Sequence, residues 1–292
     1  MEKIHGMLVI NKQLGVTSRD AVNEIQDLLP RKTKIGHAGT LDPLASGVLV
    51  IGIGFGTKLV EFVQAQPKIY EANVRLGWTS VTDDAEGPLE QNPVINPPTI
   101  ETIQCHLNQF VGNIEQIPPL YSAVHTQGKR AYQLARRGQT VELSPRSVVV
   151  HAIEIVHYEW PHLKLLITCG KGTYIRSIAR DLGKILGTGG YLAALQRTKV
   201  GSYALKNAAP RCDSLADVIA NLLPLSTALT TFPSLQIKEA DVVGFCQGKF
   251  LPYSHPNAAI VVVLKQDGNL LGLASSENGL LKPDKVFHQN TQ

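Results

Sequence analysis

The run VLVIGIG, Val48–Gly54, carries no polar side chain at either parity of a strand, and MLVI, Met7–Ile10, has the same character. A strand with one wet face alternates apolar and polar residues, so strands without alternation must be covered on both sides. Two such strands commit the chain to a layered fold around a sandwiched sheet. With 292 residues, 43% of them hydrophobic, the chain can fill that core and a second domain.

Between these strands TSRDAVNEIQDLLP reads as a helix. Thr17 is the cap, Asp20 stands at its third position, Ala21, Val22, Ile25, Leu28 and Leu29 form one apolar face, and Pro30 ends it. KIYEANVRL, Lys68–Leu76, alternates as a strand with Tyr70, Ala72, Val74 and Leu76 on one side. SVVVHAIEIVHYEW and HLKLLITC follow as two strands joined near Pro161. KGTYIRSIARDLGKILG is a helix with Thr173 as its cap, a stripe of Ile175, Ile178, Ala179, Leu182, Ile185 and Leu186, and Gly187 as its stop. After about Phe232 the pattern turns to a hairpin around Asp267-Gly268, which predicts a small C-terminal β domain. The boundary falls in the stretch from Pro224 to Pro233.

Several function classes drop out. The longest uncharged run, Val218–Ile237, contains Pro224 and Pro233 and does not read as a membrane span, and MEKIHGMLVI lacks a secretory signature. The expectation is a cytoplasmic protein without a membrane partner. Cys105, Cys169, Cys212 and Cys246 form no CxxC pair and are expected as buried, inert thiols. The nine histidines form no HxxxH or HExxH pair, so no metal is expected. GIGFGTK, Gly52–Lys58, looks like a phosphate loop, but Thr57 stands where the final glycine belongs, and it reads instead as a strand ending in a tight bend.

GHAGTLDPLASG, Gly36–Gly47, holds a single charge, Asp42. Gly36, Gly39 and Gly47 permit close backbone approach or positive φ, and Pro43 fixes the bend, so the loop either closes a local Asx turn or thrusts one carboxylate into a cleft. On their own, His37, Tyr70 and Tyr174 read as a turn histidine and two core-edge aromatics. Arg176 sits in the first turn of a helix, where a cation is unfavourable unless an anion lies close; Asp42, Asp83 and Asp84 are the acids that could supply it.

The net charge of +4 is concentrated. Between Gln116 and Ser147, Lys129, Arg130, Arg136, Arg137 and Arg146 face Glu142 alone, so this segment carries the chain's whole excess. A short helix from about Lys129 to Arg137 would place Arg130 and Arg137 on one face with Arg136 beside them and Tyr132 as a stacking surface, a spacing that can straddle a phosphate backbone.

GHAGTLDPLASGVLVIGIGFGTKL resembles the motif of the TruB-type tRNA pseudouridine-55 synthases, and KIYEANVRLG, IPPLYSAVHTQGKRAYQLARRG, CGKGTYIRSIARDLG and LQRTKVG follow in that family's order. The resemblance runs from about Gly6 to Ser202. It implies an α/β (α+β) fold: a mixed, largely antiparallel pseudouridine-synthase-like sheet flanked by helices, with a small C-terminal β-rich PUA-like domain. The implied division is a catalytic domain over 1–232, with an RNA-clamping insertion at about 116–146, and an RNA-binding domain over 233–292.

By the same resemblance Asp42 is the catalytic nucleophile, with Arg176 pairing with it and lowering its pKa. Tyr70 stacks on the flipped uracil and is a candidate base. His37 packs against the RNA, Tyr174 lies against the pocket, and Lys129, Arg130, Tyr132, Arg136 and Arg137 clamp the T arm. Lys12, kept within NKQLGVTS, is implied to bind RNA; Asn11 and Gln13 there replace the family's acid and proline, so the turn before the first helix is expected to differ. The implied partner is the T-arm stem-loop of tRNA, bound by a monomer without a cofactor, a metal or a protein partner. Attack at the sugar, attack at the ring and a glycal route all fit the motif.

Two other classes compete. A noncatalytic RNA-binding or RNA-chaperone protein using the same clamp makes Asp42 dispensable. A glycosidase needs a second cooperating acid, Asp83 or Asp84, and explains neither the localised charge nor Tyr70.

Overall fold

The computed structural model describes residues 4–122, 124–126, 129–135 and 142–287. The two unalternating strands pair with each other: Gly6–Lys12 runs antiparallel to Ala45–Ile53, with Met7 opposite Gly52. Alternate residues of each feed two separate cores. Leu8, Leu49, Ile51 and Ile53 enter one with Ala21, Val22 and Ile25 of the helix Ser18–Leu28. Met7, Val9, Val48 and Val50 enter the other with Leu59, Val63 and the C-terminal Val262, Leu270, Leu273 and Phe287. Each face of this strand pair is thus covered, one by a helix and one by the C-terminal sheet, which is why neither strand alternates.

The nine-stranded sheet runs in the order Gly6–Lys12, Ala45–Ile53, Gly190–Val200, Lys68–Leu76, His162–Cys169, Arg146–Glu159, Gly112–Gln116, with Ile35–His37 and Tyr203–Ala204 paired at its margins. The ladders are antiparallel apart from the parallel one between Ala45–Ile53 and Gly190–Val200, where Leu195 faces Ala45 and Arg197 faces Gly47. The Asp42 loop enters the sheet at that parallel junction. Tyr70, Ala72, Val74 and Leu76 all point into a third core, which also takes Ile175, Ile178, Ala179 and Leu182 of the helix Ile175–Ile185. The helix that bears Arg176 therefore packs on the strand that bears Tyr70.

Local signals explain the first helix: Thr17 and Asp20 form a reciprocal capping box. The second helix departs from expectation. Thr173 is not its cap; the cap residue is Tyr174, without a side-chain cap bond, and Thr173 donates to the Gly170 carbonyl instead. Gln116 takes over, accepting from the Tyr174 N–H at 2.7 Å and donating to the Tyr174 carbonyl at 3.0 Å.

The predicted bend after Gly52 is a 3-10 turn, Gly54–Lys58. The Asp267-Gly268 hairpin joins Ala258–Leu264 to Leu270–Glu277, with Gly268 at φ +81, inside a five-stranded sheet that runs from Ser234 to Val286. The thiols correct the expectation of burial: Cys169 is buried, Cys105 is exposed, and Cys212 and Cys246 are half-buried. In the basic segment the helix begins later than expected, at Ala131, because Lys129–Arg130 pairs as a strand with His125–Thr126; the expected end at Arg137 lies outside the described residues. Arg136 and Arg137 lie outside the described residues, as do the side chains of Lys129, Arg130 and Tyr132.

Candidate active site

Leu41 and Ala45, both buried, pin the loop on either side of Asp42. Ser18, 2% exposed at the start of its helix, donates through its hydroxyl to the Leu41 carbonyl at 3.0 Å and accepts from the Leu41 N–H at 2.8 Å. Gly15 N–H reaches the Pro43 carbonyl at 2.9 Å and Ala45 N–H the Asp42 carbonyl at 3.0 Å. Gly47 stands at φ +105, and a Cβ there would come within 2.2 Å of the Arg197 carbonyl, so the close parallel pairing requires glycine. Arg197 closes the loop from behind. Its guanidinium, 1% exposed, donates to the carbonyls of Val48 at 2.8 Å and Gly39 at 3.0 Å.

Held this way, Asp42 meets Arg176. Nη2 of Arg176 lies 2.9 Å from the Asp42 carboxylate and Nη1 lies 3.1 Å from that of Asp84. The carbonyls of Thr82 and Tyr121 take further donors of the same guanidinium. The anion that a cation in the first helical turn demands is thus present twice. Asp84 is fixed in turn by the Thr82 hydroxyl and the Glu86 N–H, and Asp83 pairs with Arg180 at 2.9 Å, so neither stands free as a second acid beside Asp42.

Burial raises the pKa of Asp42; Arg176 lowers it and Asp84 raises it again. The arginine acts in the expected direction, but removal from water outweighs the ion pair and leaves the acid above its ordinary value. The result is a carboxylate stripped of much of its hydration and aimed by a rigid fork.

Asp42 and Arg176 form a wall between two cavities. One, of about 340 Å³, is also lined by Tyr70, Tyr174, Lys68, Lys171 and Arg197. The other, of about 780 Å³, is also lined by His37, Arg19 and Tyr121. Tyr70 is buried and its pKa is raised by desolvation, so its phenol is neutral at rest. His37 is shifted down, chiefly by burial and then by Arg19 and Arg197, and faces the second cavity as a neutral ring. Tyr174 lines the first cavity and packs against the cluster of Val124, Ala131 and Leu134 in the basic segment.

Lys12 is placed differently from expectation. It is 1% exposed and its ammonium donates to the carbonyls of Gln13 at 2.9 Å and Val16 at 2.7 Å, so it ties the turn before the first helix instead of presenting a cation to RNA. Among the described residues no group of three or more His, Cys, Asp or Glu side chains could hold a metal ion, and no helix is long and apolar enough to cross a membrane.

Residues 27–175 match the N-terminal domain of the TruB family pseudouridylate synthases, and residues 176–229 match the tRNA pseudouridylate synthase B C-terminal domain. A tRNA pseudouridine synthase B from Trichormus variabilis is 38% identical over 291 residues, covering 97% of this chain and 99% of the relative. The chain belongs to the TruB family of pseudouridylate synthases. A second relative of the same name, from Nitrobacter winogradskyi, is 41% identical over 98% of this chain and 83% of its own length. In three dimensions the TruB-family fold seen here is similar to a chain of an H/ACA RNP bound to a substrate RNA containing 2'-deoxyuridine, with a TM-score of 0.71 and 21% identity over 98% of this chain and 86% of that one. It is equally similar, at TM-score 0.71 and 22% identity, to a chain of a Cbf5-Nop10-Gar1 complex, over 97% of this chain and 85% of that one.

Three residues that organise this TruB-family site were not legible in the sequence: Ser18, Gln116 and Arg197. Their contacts span 23, 58 and 149 positions. Asp84, one of the acids named for Arg176, does pair with it. A usable signal existed for Arg197, a cation inside the strand LQRTKV with no acid beside it in sequence.

Proposed function

We propose that this protein is a tRNA pseudouridine-55 synthase: it isomerises the uridine at position 55 in the T loop to pseudouridine, with Asp42 as the nucleophile. The observation that carries this reading is the Asp42–Arg176 pair at 2.9 Å, set in a wall beside a cavity that Tyr70 lines. The reaction breaks the N1–C1′ bond, turns the base and joins C5 to C1′. A partly desolvated carboxylate held by a fixed guanidinium suits attack on the nucleotide and stabilisation of positive charge at the sugar.

The target base must leave the folded T loop, which costs a few kcal/mol. Stacking on Tyr70 and packing of His37 from the second cavity offset that cost. Lys129, Arg130, Tyr132, Arg136 and Arg137 supply phosphate contacts to the T arm, while loop shape supplies selectivity. On this reading the enzyme acts as a monomer in the cytoplasm without a protein partner, a metal or a cofactor, and residues 233–292 form a PUA-like domain that adds RNA contacts. The test is carbodiimide mapping of pseudouridine in a tRNA transcript after incubation with the protein. A new modification at position 55 that vanishes when that position is cytidine is the expected result; modification elsewhere with position 55 untouched contradicts it.

A further inference from the structure

The isomerisation moves one proton: C5 of uracil loses it and N1 gains one. Tyr70 is the candidate base for the C5 proton, and a neutral phenol cannot take it; it has to become a phenolate first. The site therefore needs a group that makes the phenolate accessible in a buried cavity.

Arg197 stands directly opposite Tyr70 across the antiparallel pair formed by Gly190–Val200 and Lys68–Leu76, so the two side chains share a sheet face. Both side chains line the same cavity, and the Arg197 guanidinium pulls the Tyr70 pKa down against the larger effect of burial. The two buried arginines of the site differ in what surrounds them. Arg176 has two carboxylates; among the described residues Arg197 has none, only the carbonyls of Gly39, Thr40 and Val48. A buried cation satisfied by dipoles alone stabilises a negative charge that forms on the nearest ionisable oxygen. That oxygen is the phenol of Tyr70. Asp42 and Cys169 raise the Tyr70 pKa and Arg197 lowers it, while Lys68 and Lys171 line the same cavity.

We propose that Arg197 is a positioning residue that holds Tyr70 as a phenolate during the proton transfer, in addition to closing the Asp42 loop. When the N1–C1′ bond breaks, its electron pair stays on N1; the phenol proton passes to N1 and leaves the phenolate against Arg197. Once the base has turned and C5 is bonded to C1′, the phenolate removes the C5 proton, which restores both the phenol and the aromatic character of the ring. One proton leaves the protein and one returns, so no further acid or base is consumed.

The proposal rests on the assignment of Tyr70 as the base, and the experiment separates the two. Single-turnover conversion is followed on tRNA transcripts carrying hydrogen or deuterium at C5 of uridine, for the wild type, Arg197→Gln, Arg197→Lys and Tyr70→Phe. Arg197→Gln should slow conversion by about 10²-fold or more and raise the C5 isotope effect above the wild-type value, because proton removal becomes limiting. Arg197→Lys should recover part of the rate and keep a smaller increase. A slowed Arg197→Gln enzyme with the wild-type isotope effect shows an arginine that only holds the loop, and overturns the proposal, as does an unslowed one. If Arg197→Gln fails to fold, by its thermal melt, Arg197→Lys decides alone on the same isotope criterion. Loss of C5 proton at the wild-type rate by Tyr70→Phe removes Tyr70 as the base; a slow Tyr70→Phe with unchanged isotope effects in the Arg197 variants removes the role of Arg197 alone.

Discussion

Asp42 and Asp84 share one guanidinium, that of Arg176, at 2.9 and 3.1 Å. Asp84 is 2% exposed and hydrogen-bonded on its other oxygen, so it anchors the arginine; Asp42, with 37% of its side chain open to the cavities, is the end that can react. The arginine lowers the pKa of Asp42 against the pull of burial. Replacing Arg176 with Ala leaves that opposing effect unchecked, so the acidic limb of the pH–rate profile should move to higher pH while turnover falls by about 10²-fold or more. An unmoved acidic limb would show that the pair does not tune the acid.

Gln116 ends the strand Gly112–Gln116 and grips the Tyr174 backbone two residues before Arg176. Replacement by Leu removes both bonds and leaves a half-buried N–H and a half-buried carbonyl without this partner, a cost of about 1 kcal/mol or more in all. Urea unfolding should show a loss of at least about 1 kcal/mol, accompanied by slower turnover at unchanged tRNA affinity. Full stability and activity in Gln116→Leu would assign the start of this helix to packing alone.

Lys68 donates to the carbonyls of Gln64 and Gln66 and is 5% exposed; desolvation brings its pKa down to about 8. Its folded pKa lies below its unfolded value of 10.5, so between about 8 and 10.5 the unfolded chain holds more protons and stability rises with pH. The rise is on the order of 3 kcal/mol across that window. The stability of the wild type relative to Lys68→Met, measured by chemical denaturation, should therefore increase from pH 7.5 to pH 10. A difference that stays constant across that interval contradicts the assignment.

The cations between Gln116 and Ser147 supply the net charge of the chain. Replacing Arg130, Arg136 and Arg137 together by Ala should flatten the dependence of log affinity for tRNA on log salt, since each phosphate contact contributes a slope of about −0.7 to −0.9. An unchanged slope places the tRNA backbone elsewhere.

The parts of this molecule that were legible in the sequence are those whose cause is local. The capping box of Thr17 and Asp20, the one-sided face of Lys68–Leu76, the Asp267-Gly268 turn and the bent glycine loop around Asp42 each depend on residues within a few positions. What stayed hidden depends on chain closure. Thr173 has the right chemistry for a cap and the right place, yet Gln116 arrives from 58 positions away and satisfies the same backbone. Lys12, expected as an RNA contact, has its ammonium taken up by the Gln13 and Val16 carbonyls, a local fold that the motif alone does not reveal. Arg176 pulls the Asp42 pKa down as its charge implies, but the sequence names that charge and not the depth of burial, and burial is the larger effect.

The central claim is that Asp42 performs the chemistry. Its most direct test is release of label from C5 of uridine in a tRNA transcript, comparing the wild type with Asp42→Asn, a substitution that keeps the shape of the side chain and removes its charge. The account predicts release by the wild type and none above background by Asp42→Asn, with tRNA binding retained. Release by Asp42→Asn at a rate comparable to the wild type would contradict it.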